Sequence, residues 1–341
     1  MTPDVGSPAG ADGVAFGVDI GGTKVLGLAL DADDQVVAEA RLPTPTGRTQ
    51  GEPAGREVAQ AIADVVAQLD AAIGREGTAA DQLPPIGVGA PGMLDRQGRL
   101  RFSPNLPQAH GVDWRLLIGA LIPDRTIVIE NDANLAVLAE HRLGAARGHR
   151  HALMVTLGTG IGGGLVVDGR VQVGGNGFAG EIGHMVVDPA GPPCPCGRRG
   201  CWERFASGGG LGLLAREAAL AGKLPGVVAR AGGDPESVRG EDVTAAALAG
   251  DVDAQGVVEE VGWWVGFGLA NLACVLDPEC VVLGGGLVGA GALLLNAARR
   301  AYAELVEGGA TRPDLPIVAA AFGEHAGAVG AALAARQGGL Q

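Results

Sequence analysis

His184, Cys194, Cys196 and Cys201 fall within one short stretch, Gly183-His184, nine intervening residues, then Cys194-Pro195-Cys196-Gly197-Arg198-Arg199-Gly200-Cys201. Three thiolates and one imidazole complete a tetrahedral shell, the usual make-up of a structural zinc site. All four ligands lie in one Gly/Pro-rich loop, so gathering them costs little closure entropy. Glu181 stands three residues before His184, and Glu203 two residues after Cys201. A metal clip that pins two acids and a histidine makes a wall suited to a polar ligand. The shell is full, which leaves no open position for Lewis-acid work. One ring nitrogen of His184 binds the metal and the other is free to hydrogen-bond, so the metal fixes tautomer and orientation.

The competing reading is a disulfide or a few buried thiols. Residues 1–13 are rich in Pro, Gly and Asp, with no basic start and no apolar core, so no signal peptide is expected. A disordered extension over 1–13 and a cytoplasmic location follow as expectations. Thiols that stay reduced favour metal. Cys274 and Cys280 lie in apolar runs and read as buried filler.

Three Gly-rich loops could cradle phosphate. The first is Asp19-Ile20-Gly21-Gly22-Thr23-Lys24, the second Gly158-Thr159-Gly160-Ile161-Gly162-Gly163, the third Gly284-Gly285-Gly286. The first lies between two strands, so its amides can converge on an anion, but its spacing is not that of a Walker A loop. The second and third match Gly-x-Gly-x-x-Gly. The second is followed by a strand and fails the dinucleotide context. The third, Gly284/Gly286/Gly289, follows a strand and precedes a helix, with Glu304 at a suitable distance. That keeps an NAD(P)-dependent dehydrogenase open as a different class of enzyme. Tight hairpins and helix entries would explain each loop singly; three in one chain favour a nucleotide.

Glu130-Asn131-Asp132-Ala133-Asn134 joins a strand to a helix. An acid fixed there, near a transferred phosphoryl group, can serve as base for a hydroxyl. Asp132 as a plain helix N-cap is the alternative.

The elements that must hold these residues read as follows. Strands are expected at 14–19, 23–30, 35–42, 86–89, 127–130, 152–157, 164–167, from 171, at 280–283 and at 317–320. Helices are expected at 55–74, 133–143, 205–221, 242–249, 254–276, 291–306 and 325–336. Residues 223–241 are polar and carry Gly and Pro, and read as a surface-loop insertion. Strand–Gly turn–strand–turn–strand occurs near 14–42 and again near 152–174. That repeat suggests an α/β chain of two similar lobes with a cleft between them, where small ligands bind. Apolar residues make up 47% of the 341, enough for a large core, and no run is long and apolar enough to span a membrane. A net charge of −13 argues against a nucleic-acid partner.

Asp19–Lys24, Glu130–Asn134, Leu157–Gly164, Glu181–His184 with the three cysteines, and Leu283–Gly286 occur in the order of the ROK family, and the chain resembles that family's bacterial glucokinases from about Phe16 to its last helix. Cys-x-Cys-Gly-x-x-Gly-Cys is the most specific part. The resemblance implies an actin-like ATPase (ribonuclease H-like) fold. The small lobe would hold 14–135 plus helix 325–336, and the large lobe 136–324 with the zinc loop 184–201. It implies ATP, Mg²⁺ and a structural Zn²⁺. Asp19, Gly21, Gly22, Thr23 and Lys24 would surround the phosphates with Gly158, Thr159, Gly160 and Gly162, while Gly284, Gly285 and Gly286 lie near the adenosine. Asp132 would take the proton of the sugar's 6-hydroxyl. Asn131, Glu181, His184 and Glu203 would hold the other hydroxyls, with Asn105 and Gly92 as further contacts. Glucose is the substrate it points to, with N-acetylmannosamine, N-acetylglucosamine or fructose as alternatives. Family repressors carry an added DNA-binding domain, for which about a dozen residues before the first strand leave no room. A homodimer or homotetramer is expected by the same resemblance, and the apolar helix with Trp263, Trp264 and Phe267 reads as core or subunit interface. Because the phosphate loops lie elsewhere in the sequence, zinc loss is expected to disturb sugar binding and spare ATP.

Overall fold

The computed structural model describes residues 13–45, 52–75, 83–103, 106 and 109–340. The N-terminal extension up to residue 12 and Asn105 lie outside the described residues. The chain divides into two compact units. The first comprises Met1–Arg147, Gly164–Gly180 and Glu324–Gln341, the second Gly148–Gly163 and Glu181–Gly323. The first unit thus runs past residue 135, because α3 (Asp132–Arg142) is one continuous helix.

The first unit is built on a five-stranded sheet of order β3-β2-β1-β4-β7. Its strands are β1 (Ala15–Ile20), β2 (Lys24–Leu30), β3 (Val36–Pro43), β4 (Ile86–Ala90) and β7 (Ile127–Asn131). A short hairpin, β5 (Met93–Leu94) with β6 (Leu100–Phe102), follows β4. β1, β2 and β3 pair antiparallel, while β1, β4 and β7 run parallel. β1 and β4 are buried along almost their whole length, the near-continuous apolar pattern of strands covered on both faces. α1 (Glu52–Ala72) lays Val58, Ile62, Val65 and Leu69 into the core with Phe16 and Ile86, the i, i+4, i+7, i+11 stripe of an amphipathic helix.

The second sheet has the order β10-β9-β8-β11-β12, the same arrangement in chain order. Its strands are β8 (Ala152–Leu157), β9 (Ile161–Val167), β10 (Arg170–Val171), β11 (Cys280–Gly284) and β12 (Ile317–Ala319). β9 begins three residues before the expected position, at Ile161, and takes Gly162–Gly164 into the strand. Glycine weakens strands, yet a Cβ at Gly164 would lie 2.6 Å from the Ala133 carbonyl, so only glycine fits there.

Three helical expectations change. α2 (Trp114–Leu121) was missed; it is short, and its Asp113 side chain caps it by accepting from Leu116 N. The helix expected at 205–221 is two, α4 (Glu203–Ala206) and α5 (Gly208–Leu220), because Ser207 is extended and caps α5. The 223–241 insertion is not plain loop: it holds α6 (Pro225–Arg230) and a 3-10 turn at Pro235–Ser237. α7 (Gly240–Leu248), α8 (Val252–Leu276) and α9 (Ala292–Leu305) complete the second unit. Cys274, on the last turns of α8, is exposed rather than buried, whereas Cys280 is buried. Among the described residues no helix is long and apolar enough to cross a membrane.

The last helix, α10 (Ala326–Gln337), packs into the first unit with backbone-to-backbone closeness. A Cβ at Gly17 would sit 1.8 Å from Ala328 O, one at Gly87 1.9 Å from Ala331 O, and one at Gly330 1.8 Å from Leu135 O. Gly330→Ala must therefore separate α10 from α3, and overpacking of this kind costs about 1–3 kcal/mol. Its denaturation midpoint should fall. Gly119→Ala, in α2 with nothing within 4 Å of the added carbon, should be neutral or stabilising, since alanine is the better helix former.

Candidate active site

Two carboxylates stand at the C-terminal ends of the parallel strands of the first unit. The register pairs Asp19 of β1 with Gly89 of β4, and Gly89 with Glu130 of β7. The chain then turns directly into α3. Asn131 is the true N-cap: its Oδ1 accepts from Ala133 N at 2.9 Å and Asn134 N at 3.1 Å. Its Nδ2 donates to Gly92 O at 3.1 Å. Asp132 is thereby freed from the capping role the sequence left open. It sits in the first turn of α3, where its Oδ1 accepts from Ala133 N at 2.9 Å.

Burial pushes the Asp132 carboxyl up to about 6, although the backbone donors of the helix start oppose the shift. Asp19 rises further, to about 7, through burial first and the nearby Asp132 charge second, with Lys24 pulling the other way. Asp19 Oδ1 is buried without a hydrogen-bond partner. A Cβ at Gly327 would lie 2.7 Å from Asp19 and one at Gly89 3.1 Å from it. A buried carboxylate oxygen left without a partner is the kind of hard oxygen donor that a divalent cation takes.

The β1–β2 turn is tight: Gly21 N donates to Lys24 O at 2.9 Å, and Thr44 Oγ1 to Gly21 O at 2.6 Å. Gly22 and Thr23 are exposed at its tip. Lys24 is ion-paired with Glu324, which Arg41 also reaches at 2.7 Å. Gly92 has φ +102° and no room for a side chain, since a Cβ would lie 2.4 Å from Phe102 O. Its part in the site is to hold Asn131.

In the second unit the ligand atoms of His184, Cys194, Cys196 and Cys201 all lie within 4.8 Å of one another. Cys196 Sγ and Cys201 Sγ are 3.5 Å apart, and Cys194 Sγ is 3.8 Å from His184 Nδ1. Tetrahedral zinc with Zn–S near ~2.3 Å calls for thiolates about 3.8 Å apart, so the cluster fits that ion. Backbone ladders shape the loop: Cys194 N donates to Arg198 O at 2.8 Å, Gly197 N to Cys194 O at 3.0 Å, and Trp202 N to Met185 O at 2.8 Å. His184 is flanked on both sides. Nδ1, on the metal side, is 3.7 Å from Glu203 Oε1; Nε2 is 3.8 Å from Glu181 Oε2.

Glu203 does more than the sequence suggested. Oε1 lies 3.0 Å from Cys194 Sγ, and Oε2 accepts weakly from Ile161 N at 3.4 Å. A Cβ at Gly160 would meet Oε2 at 2.4 Å. The Gly158–Gly163 loop therefore runs against the same acid as the zinc cluster. Gly162 N donates to Thr156 Oγ1 at 3.2 Å.

A cavity of about 650 Å³ opens beside this loop. Gly158, Thr159 and Gly286 line it, with Arg216, Arg239 and Thr244. That volume suits a nucleotide-sized ligand. Gly284 is buried inside β11, where an added carbon would meet Met154 at 2.9 Å, so it packs the sheet rather than the cavity wall. Gly285 is exposed but is absent from the lining. Sequence reasoning missed Arg216, Arg239 and Thr244. Arg239 closes the insertion that read as surface loop, and only the fold brings it to the cavity. The dinucleotide alternative loses its acid, because Glu304 is exposed near the end of α9 and not at the end of β12, where a ribose would be reached.

Asp19→Asn separates charge from shape. Burial holds the folded Asp19 carboxyl well above its ordinary range, so ionising Asp19 costs stability progressively as pH rises from about 4 to 7. In metal-free buffer, Asp19→Asn should therefore raise the melting temperature at pH 8 more than at pH 5, while losing activity. Cys196→Ser should lower both zinc content, read by atomic absorption, and melting temperature, since zinc free energy is folding free energy.

Residues 15–338 match the ROK family. The chain is 36% identical over 334 residues to a glucokinase of Streptomyces coelicolor, covering 95% of this chain and 98% of that one. It is 35% identical over 322 residues to a glucokinase of Thermotoga maritima, covering 93% and 95%. Among solved structures it resembles a ROK family glucokinase from Streptomyces griseus in complex with glucose and AMPPNP, with a TM-score of 0.82, 34% identity, and coverage of 95% of this chain and 100% of that one. Its fold is the actin-like ATPase fold of those neighbours, and the chain belongs to the ROK family.

Proposed function

We propose that this protein transfers the γ-phosphoryl group of ATP to the 6-hydroxyl of glucose. Near-full-length identity with glucokinases, and likeness to one bound to glucose and AMPPNP, support the reaction. The observation that carries the chemistry is Asp132, an acid freed from helix capping and raised to about 6 by burial. A base with that pKa is ionised at neutral pH yet basic enough to take a hydroxyl proton in the transition state.

Asp132 accepts the proton of the 6-hydroxyl as its oxygen attacks the γ-phosphorus. Asn131 keeps one N–H free after its bond to Gly92, and this N–H donates to a sugar hydroxyl. Glu181, Glu203 and His184 Nε2 pair further hydroxyls, with Asn105 as an additional contact. His184 Nδ1 and the three cysteine sulfurs would hold zinc, which would fix the imidazole in place. Gly158, Thr159, Gly160 and Gly162 present backbone to the phosphates, as do Gly21, Gly22, Thr23 and Lys24 at the β1–β2 turn. Gly286 and the 650 Å³ cavity take the adenosine. Asp19 would hold Mg²⁺, which would neutralise charge on the phosphates. Two or four copies form the working assembly, a reading that light scattering checks.

ADP release across a panel of glucose, N-acetylmannosamine, N-acetylglucosamine and fructose tests the substrate. Glucose should give the highest kcat/KM, and inertness of every hexose would overturn the kinase reading. Asp132→Asn should lower kcat about 10²–10⁴-fold. For the wild type, log kcat/KM should fall as pH drops below the 6–7 range, because the base must be ionised. The Asp19–Asp132 pair titrates together, so the limb reports the pair. A near-normal rate in folded Asp132→Asn would reduce Asp132 to a structural acid.

A further inference from the structure

The zinc loop and the Gly158–Gly163 loop are far apart in sequence, yet they are bolted together by the single segment 201–209. Cys201, a zinc ligand, leads through Trp202 into Glu203, the first residue of α4. Trp202 is fully buried and its Nε1 donates to Trp264 O at 2.7 Å, which anchors this junction to α8. Glu203 turns one oxygen to Cys194 and His184 and the other to the Ile161 amide. Ser207, at the other end of α4, is 1% exposed. Its hydroxyl lies 3.0 Å from Thr159 O and 2.6 Å from Glu203 O, and accepts from Gly210 N at 3.0 Å. The next two amides continue the seam: Gly208 N donates to Gly158 O at 2.8 Å and Gly209 N to Thr159 O at 3.2 Å. Both carbonyls at the head of the glycine loop are thus held by the start of α5. The Glu203 carboxylate occupies the space a side chain at position 160 would need.

We propose that the zinc clip positions the phosphate loop as well as the sugar wall, with Glu203 and Ser207 as the positioning residues that carry the constraint from Cys201 to Gly158–Ile161. Naming that loop's ligand as phosphate rests on the kinase reading; the mechanical link does not. Glycine loops have little stiffness of their own, so a loop that must present ordered amides needs an outside brace. Here the brace is a buried hydroxyl, a carboxylate and two backbone donors, all on a segment whose start is a metal ligand. The expectation that zinc loss spares the nucleotide is therefore reversed: both ligands should weaken.

Amide hydrogen exchange on the full chain tests this without any substrate. Zinc-loaded protein is compared with protein stripped by a chelator, and with zinc-loaded Ser207→Ala and Ser207→Thr. Removal of zinc should speed exchange at Ile161, Gly208 and Gly209, while the Gly21–Gly22 turn of the first unit keeps its rate. Ser207→Ala should speed exchange at Ile161 and Gly209 with zinc content unchanged, and Ser207→Thr, which keeps the hydroxyl, should restore it. Faster exchange confined to Gly210 would mean that Ser207 is only the cap of α5 and would overturn the proposal. So would an Ile161 rate indifferent to zinc. AMPPNP binding by calorimetry gives the second readout: its Kd should rise about three- to tenfold in Ser207→Ala, the effect of one lost hydrogen bond. Equal Kd values in wild type and Ser207→Ala would also overturn it. If the hexose panel instead shows no phosphorylation, the kinase reading fails while the exchange result still decides the link between zinc and loop.

Discussion

The first unit depends on how closely its last helix approaches its first strand. α10 lies against β1 and β4 with no side chain between backbones at Gly17 and Gly87, and against α3 at Gly330. Helices normally keep 8–10 Å from each other, a spacing set by side chains; glycine removes that spacing. The closeness fixes α3 relative to the sheet, and α3 carries Asp132 in its first turn. It also brings Gly327 beside Asp19, where any larger residue would run into the carboxylate. Burial raises the pKa of both Asp19 and Asp132, and the Asp132 charge raises Asp19 further. An arrangement that costs stability is tolerated where it serves a ligand or a proton.

The second unit solves a different problem with a metal-binding loop. Residues 185–201 contain little apolar material and could not fold around a core of their own. Four ligands within 4.8 Å let one ion replace that core. The loop then feeds Trp202 into the true core and Glu203 into the site. Metal geometry is thereby converted into the placement of an acid and a histidine, and through Ser207 into the placement of a glycine loop.

Much of this was legible in the sequence, for physical reasons that differ by residue. The clustering of His184 with the three cysteines into a set that fits zinc was readable because thiols and imidazole at that spacing have few other uses. Most strands and long helices were readable from period. α2 was not, because eight residues give barely two turns of pattern, and its capping Asp113 was not recognised as a start. The break at Ser207 was marked by Ser207-Gly208-Gly209-Gly210, a breaker signal that the apolar spacing of Phe205, Leu211 and Leu214 outweighed; the extended backbone at Ser207 separates α4 from α5. Asp132 and Asn131 could not be assigned between cap and base from spacing alone. The hydrogen bonds of Asn131 to the α3 amides assign the cap to Asn131, and the base role of Asp132 belongs to the proposal. Arg216, Arg239 and the contact of Glu203 with Ile161 depend on long-range packing that no local pattern encodes.

The two sheets share one strand order, yet their loops have diverged in opposite chemical directions. In the first unit the strand ends carry Asp19, Glu130 and Asp132, and the β1–β2 turn has an open tip at Gly22. In the second unit the equivalent ends carry glycine: Gly158 after β8 and Gly284–Gly286 at β11. Carboxylates suit proton transfer and cation binding; bare backbone suits anionic oxygens, because amides donate and no side chain intrudes. The equivalent turn after β8 is braced by Glu203 and Ser207, whereas the β1–β2 turn is held by Thr44 at its base and by the Lys24–Glu324 pair. A repeated scaffold thus provides strand ends of like geometry in both units, and the residue types placed there divide the work. On the proposed reading, the acid-bearing unit serves the proton and the cation, and the glycine-bearing unit serves the nucleotide.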